Sequence, residues 1–232
     1  AFSTGTDPNL LAALVDSGDF TALDAAIRRA QDSLLALKRS PFPVIAAAFG
    51  QTLDGGCELL LHCDAIVAHA ELAAGMPGVK SGLLPAWGGC AQSLLRSGRN
   101  APSQETTQQL FAGLLSGQVS ASAHWARDMG ILAEGDTITM NRARLLADAK
   151  ARAVVLAEAG YRPPMPANLP LAGRAGAAVL TDWADAQPDW TDTDRTIAAH
   201  LAAVLTGGAA EKGGLTPESV IRTLEREALL AL

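Results

Sequence analysis

Leu23, Ile27, Leu34 and Leu37 recur on one face at helical spacing, with Arg28, Arg29 and Lys38 elsewhere, which predicts a helix over 21–40. Thr21, followed three residues later by Asp24, reads as a capping pair at its start, and Pro41 and Pro43 stop it. The apolar run from Val44 to Phe49, ended by Gly50, reads as a buried strand. Residues 53–63 read as a tight glycine turn feeding a helix, and 65–69 as a second strand, so the first third of the chain predicts an α/β arrangement. Residues 75–90 are rich in Gly and Pro and read as a long ordered loop, a length that in a compact domain is more often functional than idle.

From Ala91 onward the pattern becomes helical. A short helix ends at Gly130 as a C-cap, and an amphipathic helix covers 141–159. A proline-rich connector follows over 161–170, then helices around 171–183 and 194–205, with a break at Gly207-Gly208. Thr216 reads as the N-cap of a last helix, with Pro217 at its first position and Glu218 near its positive end. The expected division is an incomplete α/β core over 1–90 and a helical region over 91–232.

Composition narrows the partners. Hydrophobic residues make up 49% and charged residues 18%, which excludes a disordered chain. The net charge of −6, with no basic stripe, argues against nucleic acid or an anionic membrane as the main partner. Cys57, Cys63 and Cys90 lack disulfide-like or metal-like spacing and read as reduced core thiols of a cytoplasmic protein. The chain opens on Ala1-Phe2-Ser3-Thr4-Gly5 without an initiator Met or a signal pattern, and reads as part of a longer polypeptide.

The chemistry concentrates in Gly50–Cys90. Gly55-Gly56 just before a helix leaves backbone N–H groups unpaired, with the positive end of the dipole behind them, an arrangement that suits a developing oxyanion. Glu58, in the same helix, is placed to move a proton beside whatever those groups hold. His62 has no partner at metal-like spacing, so a metal site is not expected. His69, His124 and His200 are scattered, without support for a Ser-His-Asp triad. Lys80-Ser81 lacks the glycine spacing of a P-loop, and no G-x-G-x-x-G follows a strand, so NAD binding is not expected.

The segment GQTLDGGCELLLHCDAIVAHAELAAGMPGVKSGLLPAWGGC, together with the opening AFSTGTD and the later SASAHWARDMGILAEGD, resembles the crotonase (enoyl-CoA hydratase/isomerase) superfamily over residues 1–135. The second half, in ITMNRARLLADAKARAVVLAEAGYRPP and HLAAVLTGG, is similar to bacterial multifunctional β-oxidation proteins that join a 3-hydroxyacyl-CoA dehydrogenase to a crotonase part. The resemblance implies an α/β crotonase-like fold lacking its first strands, with a helical C-terminal region. It implies an acyl-CoA substrate, no cofactor in this chain, homo-oligomers, and linkage to a dehydrogenase domain.

Carried over residue by residue, the resemblance makes Thr6 and Gly55 the N–H donors to the thioester oxygen and Glu58 the catalytic carboxylate. Gly56, Gly78, Pro85, Ala86, Trp87 and Gly88 would bind substrate. The chain departs from the pattern at three places. Gly78 stands where a hydratase has its second Glu, Trp87 where a small residue is usual, and Asp54 where the turn has its first Gly. Asp54 is open to three readings: a substitute acid/base, a like charge that raises the pKa of Glu58, or an exposed turn residue. Trp87 either narrows the acyl pocket or packs. Loss of the second Glu leaves a further alternative, a degenerate module that binds acyl-CoA or scaffolds a multienzyme without hydratase activity.

Overall fold

The computed structural model describes residues 1–97, 103–208 and 213–232. Helix α1 (Pro8–Asp16) leads into α2 (Phe20–Lys38), β1 (Ile45–Ala48), β2 (Gln51–Leu53), α3 (Gly55–His62), β3 (Ala65–His69) and β4 (Ala73–Gly75). A 3₁₀ turn (Pro77–Ser81) and then α4 (Gly89–Ser97), α5 (Gln104–Ser116), α6 (Ala123–Asp128) and β5 (Thr137–Thr139) follow. The remainder is α7 (Leu145–Glu158), β6 (Asn168–Leu171), α8 (Gly173–Asp185), α9 (Asp192–Thr206), β7 (Gly214–Pro217) and α10 (Glu218–Ala231). No helix among the described residues is long and apolar enough to cross a membrane.

The core sheet is parallel, in the order β1-β3-β5, with Ile45 opposite Ala65 and Val67 opposite Thr137. Strand alternation sorts its two faces. Ala46, Ala48, Ile66 and Ala68 point into the main core with Leu60 and Leu61 of α3. Ile45, Ala47 and Val67 point the other way, against Leu145 and Ala149 of α7. Helix α7 packs on β1 and β3 from that second side. A second parallel pair, β2 and β4, is extended at one edge by Ser3, which bridges to Thr52. That bridge lays residues 1–6 alongside the turn that enters α3.

The helix read over 21–40 is α2, but its cap is Asp19, whose carboxylate accepts from the N–H of Ala22 at 2.9 Å. Asp24 instead pairs with Arg28 and Arg226. The long loop over 75–90 contains a 3₁₀ turn, and α4 begins within it, at Gly89. Thr216 does not cap α10. It lies in β7 opposite Leu169, and Pro217 occupies the cap position with no side-chain hydrogen bond. The proline-rich connector likewise carries β6, which pairs antiparallel with β7. The region after residue 90 supplies β5 to the core sheet, so the sheet is completed across position 90 rather than within 1–90.

Helix α10 packs on α2, α4 and α9, and its first turn carries a buried ionic cluster. The Glu218 carboxylate accepts from Lys38 Nζ at 3.1 Å and from Gln92 Nε2 at 2.8 Å, with Arg39 3.6 Å away. Burial alone would raise the pKa of Glu218, but the Lys38 ammonium, with the Gln92 and Arg39 contacts, holds it below its ordinary value.

Candidate active site

The turn into α3 fits the space available at each position. A Cβ on Gly55 would overlap the indole of Trp87, and one on Gly56 would overlap the Ser3 carbonyl, so neither position has room for a side chain. The first turn of α3 therefore sits directly under Trp87, with residues 3–6 against its other side. A Cβ on Gly5 would lie 3.1 Å from the nitrogen of Gly55. The N–H groups of Gly55 and Thr6 make no hydrogen bond to another described residue. Both residues line one cavity of about 340 Å³.

Glu58 lines the same cavity and is 4% exposed. Its Oε2 accepts from the N–H groups of Trp87 at 2.8 Å and Gly89 at 2.7 Å, which fixes the carboxyl against the start of α4. Oε1 has no hydrogen bond to the described protein. Burial pushes the pKa of Glu58 up to about 8, the two N–H groups pull it down, and the neighbouring Asp54 charge adds a smaller rise. With Oε2 committed to two donors, the proton belongs on Oε1.

Asp54 is the only non-glycine residue with positive φ among those described, at φ 47 and ψ −120. Its side chain makes no cap to α3 and turns toward the cavity, where Oδ1 accepts from the N–H of Gly78 at 2.7 Å. It is half-buried, so the exposed-turn reading does not hold. Burial raises its pKa, and the Gly78 N–H opposes that rise.

Of the residues read as substrate-binding, Gly78, Pro85, Ala86 and Trp87 line the cavity. Gly56 and Gly88 do not. Gly56 faces Ser3, and Gly88, at φ 102, faces the ring of His62. A glycine reveals its backbone freedom in a sequence but not which neighbour its Cα touches. The sequence also left out the apolar wall from α1, α2 and α10, made by Leu11, Ile27 and Leu229. Only long-range packing brings those three together.

Two further buried groups brace the site from behind. His62 Nδ1 lies 2.8 Å from the Glu58 carbonyl and must carry the hydrogen, because a carbonyl only accepts. Burial pulls the ring's pKa down to about 4, so it is neutral. Glu225 on α10 is fully buried and accepts from the N–H of Ala91 at 2.8 Å. Cys57, Cys63 and Cys90 are buried free thiols; burial lifts the first two to about 12, which leaves them inert. A larger cavity, of about 470 Å³, lies among α4, α5 and α6 and meets the first at Met76, but is not lined by Thr6, Gly55 or Glu58.

Residues 1–135 match the protein family described as enoyl-CoA hydratase/isomerase. The whole chain aligns at 35% identity with 30% of a Bacillus subtilis protein named as a probable 3-hydroxyacyl-CoA dehydrogenase. It therefore spans less than a third of that relative. Across 59% of the chain and 51% of the relative, it is 33% identical to the 2,3-dehydroadipyl-CoA hydratase of Escherichia coli. Among solved structures, an enoyl-CoA hydratase/isomerase from Mycobacterium paratuberculosis superposes with a TM-score of 0.54 at 22% identity, covering 100% of this chain and 76% of that one, which bears on the fold alone. With the crotonase-like fold and the family match in agreement, the chain belongs to the enoyl-CoA hydratase/isomerase family.

Proposed function

We propose that this chain binds an acyl-CoA thioester and moves a proton at the carbon next to its carbonyl, as the hydratase/isomerase part of a longer β-oxidation enzyme. The thioester oxygen accepts hydrogen bonds from the N–H groups of Thr6 and Gly55. These bonds strengthen as negative charge collects on that oxygen, which lowers the barrier to an enolate. Glu58 exchanges the proton with the α-carbon through Oε1.

The observation that carries this reading is Glu58. It is a buried carboxyl with a pKa raised to about 8, lining the same cavity as the Thr6 and Gly55 N–H groups; among the described residues neither those groups nor its Oε1 has a hydrogen-bond partner. A general acid/base works best with a pKa near the operating pH. Linkage to a dehydrogenase domain is supported by the B. subtilis relative, whose name refers to an activity for which this chain has no dinucleotide motif. A binding-only module is favoured by one feature, the Trp87 indole lying against Gly55 beside the oxyanion position.

The test is the loss of conjugated absorbance from a short 2-enoyl-CoA, measured on the natural full-length protein and its Glu58→Gln variant. Turnover that falls about 10²–10⁴-fold in the variant, the usual cost of losing such a group, supports the reading. Acyl-CoA that binds without chemistry, alongside no exchange of its α-protons with deuterated water, leaves the binding module.

A further inference from the structure

Asp54 is in an unfavourable backbone conformation for a side-chain-bearing residue. Positive φ outside the left-handed helical well costs on the order of 1–3 kcal/mol for a non-glycine residue and persists where the surroundings impose it, commonly at functional sites. Glycine would avoid that cost, and the next two positions are glycine. The side chain does not recover the cost through the ordinary role of an Asp before a helix, since it caps nothing in α3. It points instead into the cavity that holds Glu58 and the unpaired N–H groups of Thr6 and Gly55.

The space it fills is made for it at Gly78. That residue donates its N–H to Asp54 Oδ1, and a Cβ there would come within 2.8 Å of the same oxygen. Glu58 and Asp54 are thus two carboxyls reaching one cavity, with different environments. Glu58 is enclosed and holds a proton on Oε1. Asp54 is half-open, sits at the positive end of α3 and has a second oxygen, Oδ2, without a hydrogen bond to the described protein. Paired carboxyls whose surroundings differ in this way divide acid and base roles between them.

We propose that Asp54 is a second catalytic residue, the base that activates water for addition to a 2-enoyl thioester, with Glu58 as the acid. This deepens the reading above and rests on it. Oδ2 takes a proton from water as the water oxygen bonds to C3. The C2–C3 π electrons move toward the thioester, where the N–H groups of Thr6 and Gly55 hold the enolate oxygen. Collapse of the enolate takes the Glu58 Oε1 proton to C2. One water is added across the double bond, and the proton gained by Asp54 returns to Glu58 through solvent.

Three variants test this in the natural full-length protein, with hydration of a short 2-enoyl-CoA and α-proton exchange of a saturated acyl-CoA measured side by side. Asn keeps the acceptor for Gly78 and tolerates positive φ, so Asp54→Asn is expected to fold. Its hydration should fall about 10²–10⁴-fold while exchange, which needs no activated water, falls far less. Asp54→Gly should lose hydration equally yet raise the urea midpoint, since it relieves the backbone. Adding Gly78→Glu to Asp54→Gly returns a carboxylate to the vacated space from the opposite side and should recover hydration at least tenfold. Hydration within threefold of the parent in Asp54→Asn overturns the proposal, as does equal loss of hydration and exchange. A parent protein that exchanges α-protons without hydrating overturns it too, and leaves the Glu58 reading standing. A parent that does neither overturns both.

Discussion

Glu58 and Glu218 are both glutamates near the start of a helix and both almost fully buried, yet they hold opposite protonation states. Glu58 is met by two backbone N–H groups and, among the described residues, no cation, and burial lifts it from an ordinary 4.5 to about 8. Glu218 is met by Lys38, Arg39 and Gln92, and stays ionised. The contrast teaches that burial alone does not make a carboxylate functional. A buried carboxylate with charged partners ties elements together, here α2, α4 and α10. One enclosed without a cation among the described residues, with a free oxygen on a cavity, keeps a proton.

The largest break in that symmetry is expected from Glu58→Gln. It should lower turnover about 10²–10⁴-fold, while the urea midpoint at pH 8 stays at or above that of the parent, because an amide is not charged on burial. Glu218→Leu should do the reverse. It strands Lys38 and Arg39 and costs about 3–5 kcal/mol of stability, the usual penalty for removing one partner of a buried pair, while kcat of the folded protein is retained.

Opposite pH limbs sharpen the comparison. The folded protein binds the Glu58 proton more tightly than the unfolded chain, so the stability from that site is full below about 4.5 and is lost as pH rises through about 8. Glu218 titrates lower when folded, so its contribution is present above 4.5 and is lost as pH falls through its depressed value. Urea midpoints measured across pH should therefore show Glu58→Gln flattening the upper limb and Glu218→Leu the lower. The smallest effect serves as a control away from both: Asp19→Ala should cost α2 about 1 kcal/mol through its lost N-cap and leave both limbs in place.

The elements visible in the sequence were those with a local signature. The stripe of Leu23, Ile27 and Leu34 marked α2, the apolar run ending at Gly50 marked β1, and Gly55-Gly56 before Glu58 marked the turn into α3. What the sequence hid depends on distant partners. Thr137–Thr139 is three residues long and becomes a strand only because β3 offers it a ladder. Thr216 has the chemistry of an N-cap, but pairing with Leu169 claims its backbone first. At the site, Gly56 and Gly88 could not be told from cavity-lining glycines, because the contacts with Ser3 and His62 that turn them away are set by packing. The direction of the Asp54 side chain was hidden for the same reason: a Gly-rich turn predicts positive φ, not what its one carboxylate will face.

The most direct measurement is a ¹³C NMR titration of the glutamate side-chain carboxyls in the natural full-length protein, with the Glu58 signal assigned by its loss in Glu58→Gln. Glu58 is expected to titrate with a midpoint near 8, and Glu218, assigned through Glu218→Leu, below 4.5. A Glu58 midpoint at an ordinary carboxyl value would contradict it, because the group would then be an anion at neutral pH with no proton to deliver.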